Sequence, residues 1–272
     1  MASSKPLLKE TTSFDSQKTG LSALLKRTTD RVLGVSLGTE ELLSFYDEYE
    51  EFSRRAPRET LAKKAAKLES VAFLKHNILL ECGLKPSHSL LDFCCGLDSM
   101  AAHTVPYLSQ GHYLGMEVSE TALENTRREL LDAGVKESNA TWLLETDSHF
   151  PLLGDQSVDM VSAFTIFAHM SPTDMLKYLV GLKRVLRNSG TFVGSFLLLE
   201  ESQLARQLLK SGNNSYQGLS IFPSSKSFIE EMVSMAGMEI EAWFQSNSEA
   251  FEFEPGNSDF AALGQAVAVI RK

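Results

Sequence analysis

One stretch of the sequence decides the predicted fold: SLLDFCCGLDSM, residues 89–100. Its apolar part, Leu90–Phe93, is typical of a buried parallel strand. Gly96 follows in a tight turn, and residues 100–105 have the composition of a helix. A strand, a glycine turn and a helix bring backbone N–H groups to one crevice. A polar or anionic ligand can lie there, because no side chain fills the space at the glycine.

Further strand-like runs alternate with helix-like runs along the chain, which predicts a parallel sheet. Residues 111–118 form a strand that contains Glu117 near its end, 21 residues after Gly96. An acid at that spacing can accept hydrogen bonds from a ribose diol. Two more strands are predicted at residues 141–145 and 158–164.

The chain is predicted to have three regions. Residues 1–20 are rich in Ser, Thr and Lys and are expected to be disordered. Helical spacing of apolar residues begins at Leu21, so residues 21–85 are predicted to form a helical cap. Residues 86–272 form the ligand-binding domain. Within it, residues 200–226 fit no regular element and are interpreted as a lid above the carboxyl ends of the strands.

Composition excludes several classes of protein. Of the 272 residues, 43% are hydrophobic, which is enough for a packed core. The formal charge of −9 disfavours a nucleic-acid partner. No apolar run approaches the roughly 18 residues of a membrane span, and no signal-peptide pattern begins the sequence, so no membrane contact is expected. Three cysteines do not make a disulfide framework, which favours a cytoplasmic protein. The histidines lack metal-ligand spacing, so no metal is implied.

These segments resemble the class I S-adenosylmethionine-dependent methyltransferases. The first motif of that family runs apolar, apolar, Asp, apolar, Gly, Cys, Gly, x, Gly, and residues 90–96 are similar to it. Cys94 stands where the first Gly is usual, and Asp98 where the third is. Three later segments also resemble the family's "D-x-x-x-P-F…D-x-S-F-D" and "hHL…RvLkpGG" signatures: residues 147–159, 167–170 and 182–190.

The resemblance implies an α/β fold: a Rossmann-like, seven-stranded, mostly parallel sheet with helices on both faces, joined here to the helical N-terminal cap. It also implies S-adenosyl-L-methionine as the cofactor. At matching positions, the resemblance implies that Asp92 binds the methionine end of the cofactor and Glu117 binds its ribose. It also implies that Asp147, with Ser148 beside it, binds the amino group of the adenine. The other expected cofactor-binding residues are Cys94, Gly96, Asp98, Val118, Phe164, Tyr46 and Tyr49.

Several of these residues have a structural alternative. Asp92 and Asp147 can instead cap backbone N–H groups in turns. Asp98 can bind the cofactor's ammonium, repel its carboxylate or point away. An ordinary apolar helix face explains Tyr46 and Tyr49 about as well as cofactor contact does. Both adjacent cysteines are interpreted as packing residues rather than nucleophiles.

His169 is the candidate catalytic residue. It follows the fourth strand, where the family places residues that face the methyl group, and an imidazole can act as a general base. The alternative is a histidine packed under the next helix. Phe167 and Tyr216 are predicted to contact the substrate.

The sequence therefore predicts a methyltransferase that acts on an O, N or C nucleophile of a small molecule, as a monomer or homodimer. Two alternatives remain. One is an enzyme of this fold that binds the cofactor but catalyses a cyclisation or rearrangement. The other is a non-catalytic scaffold, since fold does not fix function.

Overall fold

The computed structural model describes residues 58–96, 99–199, 215–216, 219–220, 222–244 and 265–272. Several predictions fall outside these residues. They concern the disordered segment 1–20, the first part of the cap, and the side chains of Tyr46, Tyr49 and Asp98.

The described chain has nine strands, and seven of them form one sheet. In chain order the strands are β1 (Leu90–Phe93), β2 (Tyr113–Glu117), β3 (Ala140–Leu144), β4 (Val158–Ala163), β5 (Leu186–Phe196), β6 (Ser215–Tyr216), β7 (Leu219–Ser220), β8 (Glu239–Phe244) and β9 (Ala266–Arg271). The sheet has the order β3-β2-β1-β4-β5-β9-β8, and β6 pairs with β7 separately. Strand β9 is antiparallel to both of its neighbours, and the other pairs within the seven-stranded sheet are parallel. The predicted mostly parallel, seven-stranded sheet is confirmed.

Helices cover both faces of this sheet. They are α1 (Arg58–Glu81), α2 (Ala101–Tyr107), α3 (Glu120–Asp132), α4 (Pro172–Val185) and α5 (Lys226–Met235), with short 3₁₀ turns at Glu137–Asn139 and Ile166–His169. Tyr178 of α4 and Ile229 of α5 belong to one buried apolar cluster. Leu79 of α1 and Val105 of α2 belong to a second. The central strand β1 is buried along its whole length, which explains its uninterrupted apolar sequence.

Gly83 ends the long helix α1, as its position after the apolar helical stripe predicts. It has φ +90°, a conformation in which glycine is favoured over other residues. Its N–H donates to the carbonyl of Leu80 at 3.0 Å, and the N–H of Leu84 donates to the carbonyl of Leu79 at 2.8 Å. These two bonds satisfy carbonyls that the end of the helix leaves open and direct the chain toward β1.

The predicted lid, residues 200–226, contains more regular structure than its sequence indicated. Strands β6 and β7 form a two-stranded hairpin inside it, and Lys226 already begins α5. The N–H of Phe222 donates to the carbonyl of Ala168 at 2.7 Å, and Ser224 forms a bridge with the chain just after β5. The returning segment therefore lies beside the carboxyl ends of β4 and β5.

Candidate functional site

The candidate site lies where β1, β2 and β4 end. In the sheet, Asp92 of β1 is level with Gly115 of β2 on one side and with Ser162 of β4 on the other. The turn of Cys94, Cys95 and Gly96 follows directly. Carboxyl ends of parallel strands are the edge where α/β sheets bind ligands.

Gly96 is held against Glu117, so the two residues that the sequence singled out are in direct contact. The N–H of Gly96 donates to Oε2 of Glu117 at 2.7 Å. A Cβ atom on Gly96 would lie 2.6 Å from that same oxygen and 2.6 Å from Cβ of Ala122 in α3. Both distances are well below ordinary contact, so this position accepts no side chain without a shift of the turn.

Glu117 also organises the backbone around itself. Its Oε1 accepts the N–H of Val118 at 2.7 Å and lies 3.4 Å from the N–H of Ser119. The side chain is completely buried. A carboxylate has about four acceptor positions, and backbone N–H groups occupy three of them here. A ribose diol can donate to both oxygens only if the Gly96 turn or the Glu117 side chain shifts.

Asp92 is hydrogen-bonded to hydroxyl groups from both neighbouring strands. Tyr113 Oη donates to Oδ2 at 2.6 Å, and Ser162 Oγ donates to Oδ1 at 2.8 Å. Both of these partners are side-chain hydroxyl groups, whereas the structural alternative expected backbone N–H groups. Burial raises the pKa of Asp92, while the two hydroxyl donors and the positive charge of Lys75 lower it in part. The carboxyl is thus fixed in position and only 5% exposed.

A small cleft opens beside Asp92. Phe164, at the end of β4, forms one wall. The full lining is Lys75, Asp92, Cys94, Cys95, Ser99, Met100 and Phe164. This cleft contains three of the predicted cofactor residues, Asp92, Cys94 and Phe164. Val118 and Gly96 lie next to it along the strand ends.

The cysteines in this turn are packing residues with neutral thiols. Burial raises the pKa of both Cys94 and Cys95 well above the usual value, and neighbouring carboxylates raise it further. Cys94 has φ +57°, a left-handed conformation that is uncommon for residues other than glycine. This conformation explains why glycine is usual at this position in the resembling family.

Asp147 lies beyond β3 on an exposed loop. Its Oδ1 accepts the N–H of His149 at 2.8 Å and lies 2.8 Å from the ring nitrogen Nδ1 of the same residue. The His149 N–H hydrogen bond lowers the pKa of Asp147. The carboxylate thus caps its own turn, as the structural alternative proposed, and half of its side-chain surface remains exposed toward solvent. Ser148 is half-buried beside it.

Side chains of helix α4 hold this loop in place. Arg184 donates to the backbone carbonyls of His149, Phe150 and Leu153 at 2.7–3.2 Å. One turn earlier, Gly181 allows a close approach, since a Cβ there would lie 1.9 Å from the carbonyl oxygen of Ser148. No role for Arg184 or Gly181 was predicted from the sequence. Arg184 belongs to the segment that resembles "RvLkpGG", but only the fold shows that its side chain contacts the loop after β3.

The turn after β4 carries the candidate catalytic residue. His169 ends the 3₁₀ turn Ile166–His169 and is half-buried. Thr165 begins the turn with φ +65°, and such strained conformations of β-branched residues cluster at functional sites. Its N–H donates to Oγ of Ser195 at 2.7 Å, and that hydroxyl donates to Gln265 at 2.7 Å. The turn is therefore tied to both β5 and β9.

Phe167 does not line the site. It is 1% exposed, and its ring stacks on Phe196 with centroids 5.2 Å apart. The prediction of substrate contact by this side chain is not supported, because the short 3₁₀ turn directs it into the core. Tyr216 lies in strand β6, and its side chain is outside the described part of the chain. Its role stays a prediction.

Two features are absent from the described part of the chain. In that part of the chain, no group of three or more His, Cys, Asp or Glu side chains is arranged to hold a metal ion. Among the same residues, no helix has the length and apolar character needed to cross a membrane.

Comparisons with known proteins agree with this geometry. Residues 90–190 match a family described as a methyltransferase domain. Magnesium protoporphyrin IX methyltransferase from Synechocystis, solved with bound SAH, is similar at 12% identity and a TM-score of 0.54, over 76% of this chain and 84% of that one. A SAM-dependent methyltransferase from Aquifex aeolicus is similar at 18% identity and a TM-score of 0.52, over 77% and 96%.

A third similar structure is the cyclase SpnF, at 17% identity and a TM-score of 0.54, over 74% of this chain and 80% of that one. At such identities, structural likeness establishes the fold alone. The fold is that of the class I methyltransferases. The matched segment, residues 90–190, lies within this fold and runs from β1 into β5.

The described residues fit S-adenosylmethionine. Gly96 lets the turn after β1 approach Glu117 more closely than a residue with a Cβ could. The buried carboxyl of Asp92 and the ammonium of Lys75 line one small cleft next to it. Asp147 presents an ionised carboxylate at the end of the neighbouring strand. Carboxyl groups, a tight glycine turn and a small cleft lined by Lys75 and Asp92 thus follow one another along the sheet edge.

Proposed function

We propose that this protein is an S-adenosylmethionine-dependent methyltransferase that acts on an O, N or C nucleophile of a small molecule. The observation that carries the proposal is the contact between Gly96 and Glu117. It joins the glycine turn after β1 to the acid at the end of β2, with no room for a side chain between them. A bound S-adenosylmethionine supplies an electrophilic methyl group, so the protein has to position the nucleophile and exclude water.

Each part of the site has a proposed task. Asp92 and the cleft beside it bind the methionine end, Glu117 the ribose, and Asp147 with Ser148 the adenine. Helix α4 holds the adenine loop through Arg184. Phe164 and the turn that follows β4 would face the reacting methyl group, and His169 in that turn is the proposed base for a hydroxyl substrate.

A small-molecule substrate is proposed from charge and space. The formal charge of −9 disfavours nucleic acid. The segment that returns at Phe222 is bonded to Ala168, one residue before His169, and so narrows access to this edge. A narrowed, partly covered edge favours a small acceptor over a folded macromolecule. The same cover would limit the access of water.

The test uses S-adenosylmethionine with a deuterated methyl group. The purified protein is incubated with this cofactor and a small-molecule extract, and the products are analysed by mass spectrometry. We expect at least one compound to gain a labelled methyl group, and none to do so with a Gly96→Val variant. A protein that binds the cofactor but transfers no label to any compound would contradict the proposal.

A cyclase or rearrangement enzyme is the second candidate. The likeness to SpnF favours it, as does Cys94 at a position where the resembling methyltransferases have glycine. Such an enzyme would consume a compound and yield a product of unchanged mass. The same mass spectra separate the two candidates, because methylation adds the mass of the labelled group.

A further inference from the structure

Lys75 is a buried cation beside the candidate cofactor site. It lies on α1, within the predicted N-terminal cap, and is 3% exposed. Its ammonium is 5.9 Å from the centroid of the Phe164 ring. Burying an ammonium is costly unless the surroundings supply compensating charge or hydrogen bonds, so a lysine is seldom placed there for packing alone. The sequence analysis gave this residue no role.

The cleft that Lys75 lines has one charge of each sign. Lys75 supplies the positive charge and Asp92 supplies a carboxyl group on the same small cleft. Burial raises the pKa of Asp92, and the positive charge of Lys75 opposes part of that rise. The thiols of Cys94 and Cys95 add no charge, because burial holds their pKa far above neutral pH.

A cleft with this pattern is complementary to an amino-acid group. Such a group carries an ammonium and a carboxylate on one carbon atom, and each needs a partner of opposite charge when it leaves water. Asp92 is the partner for the ammonium. The carboxylate of the amino-acid group then needs a cation in the same cleft, and the ammonium of Lys75 is the cation in its lining.

We propose that Lys75 binds the carboxylate at the methionine end of the cofactor. The proposal rests on the proposed function and names the residue that selects the amino-acid end of the ligand. Under this proposal α1 is part of the cofactor site, because Lys75 lies on α1 and lines the cleft at the end of β1. The cap is then required for binding the cofactor as well as for covering the substrate.

The experiment compares ligands with and without the amino-acid group by calorimetric titration. S-adenosylhomocysteine (SAH) carries the group, and 5′-methylthioadenosine has the same adenosine and thioether without it. We expect Lys75→Met to weaken SAH binding at least about tenfold, the loss of a charge-assisted hydrogen bond, and to change methylthioadenosine binding less than about twofold. Lys75→Arg should keep most of the SAH affinity. Lys85→Met, at an exposed lysine after α1, is the matched control and should bind both ligands normally.

Each outcome has a distinct meaning. If the wild type binds SAH and Lys75→Met binds it equally well, the role of Lys75 is refuted and the proposed function stands. Equal loss of both ligands shows a purely structural role and also refutes it. A wild type that binds neither ligand contradicts the proposed function itself.

The wild type alone provides a test if Lys75→Met does not fold. Decarboxylated S-adenosylmethionine lacks only the carboxylate. We expect it to bind at least about tenfold more weakly than S-adenosylmethionine, and equal affinity would overturn the proposal.

Discussion

Replacing Gly96 with alanine tests the contact on which the site depends. The new Cβ would lie 2.6 Å from Glu117 Oε2 and 2.6 Å from Ala122 Cβ, whereas carbon atoms in contact prefer about 3.5–4 Å. The turn has two responses. It can stay and retain the overlap, which costs about 1–3 kcal/mol as overpacking does. It can instead move and break the hydrogen bond to the carboxylate, which costs about 1.5–3 kcal/mol.

These two costs are alternatives, so they do not add. We expect Gly96→Ala to lower the free energy of unfolding by about 1.5–3 kcal/mol. For a chain of this size, the melting temperature should fall by about 2–4 °C for each kcal/mol. Urea denaturation followed by circular dichroism gives the free energy, and the slope of the transition should be unchanged. SAH binding should weaken as well, because the displaced turn enters the cofactor's place.

Gly154→Ala is the matched control. Nothing lies within 4 Å of a Cβ at that glycine, which has no positive φ. Its free energy of unfolding should stay within about 0.5 kcal/mol of the wild type. If Gly96→Ala is as stable as this control and binds SAH normally, the close contact at Glu117 does not exist in solution and the reasoning fails.

Three further predictions concern the remaining site groups. Glu117→Gln should weaken SAH binding and lower the free energy of unfolding by about 1.5–3 kcal/mol, because only one of the two side-chain atoms of an amide can accept a hydrogen bond. Calorimetry measures the binding and urea denaturation the stability, and unchanged values would exclude Glu117 from the site. For a hydroxyl substrate, His169→Gln should reduce turnover about 10²–10⁴-fold and alter the pH–rate profile with little change in cofactor affinity; an identical profile would exclude His169 as the base. Burial raises the pKa of Cys82 to about 11 and raises the pKa of Cys94 and Cys95 well above the usual value, so native protein at pH 8 should react slowly with iodoacetamide at all three thiols. Rapid alkylation of the turn cysteines would contradict their burial.

Much of the fold could be predicted because its signals are local. The apolar run at Leu90–Phe93 indicates a strand buried on both faces, and the structure shows all four of its residues buried. Ser171 and Pro172 predict a helix start, and Ser171 Oγ indeed accepts the N–H of Asp174 at 3.3 Å. Each of these features depends on a few neighbouring residues, so the sequence carries them directly.

The placement of Glu117 could also be predicted, whereas its environment could not. A spacing of 21 residues from Gly96 indicates that both residues reach one edge of the sheet. It does not indicate that three backbone N–H groups already surround the carboxylate. Those donors come from the exact path of two turns, which no periodicity in the sequence describes.

Side-chain direction was the main source of error. Phe167 was predicted to contact substrate from its position after β4, but a 3₁₀ turn rotates successive side chains by about a third of a circle. Phe167 therefore points to Phe196 in the core, while His169 is half-buried. A two-residue difference in this turn separates a fully buried side chain from a half-buried one.

Contacts between distant elements were missed for a different reason. Lys75 lies on a helix of the predicted cap, and its position beside Asp92 follows only from the packing of α1 near the end of β1. Arg184 holds a loop more than 30 positions earlier in the chain. Nothing local to either residue marks it, since a single Lys or Arg on a helix is usually a solvated side chain.

A crystal structure of the protein with bound SAH tests the central claim most directly. We predict the ligand at the carboxyl ends of β1 and β2, with its ribose hydroxyls within hydrogen-bond distance of Glu117. We also predict the adenine beside Asp147 and the amino-acid end between Asp92 and Lys75. Electron density for the ligand elsewhere on the protein, with the Gly96 turn still closed on Glu117, would contradict the account.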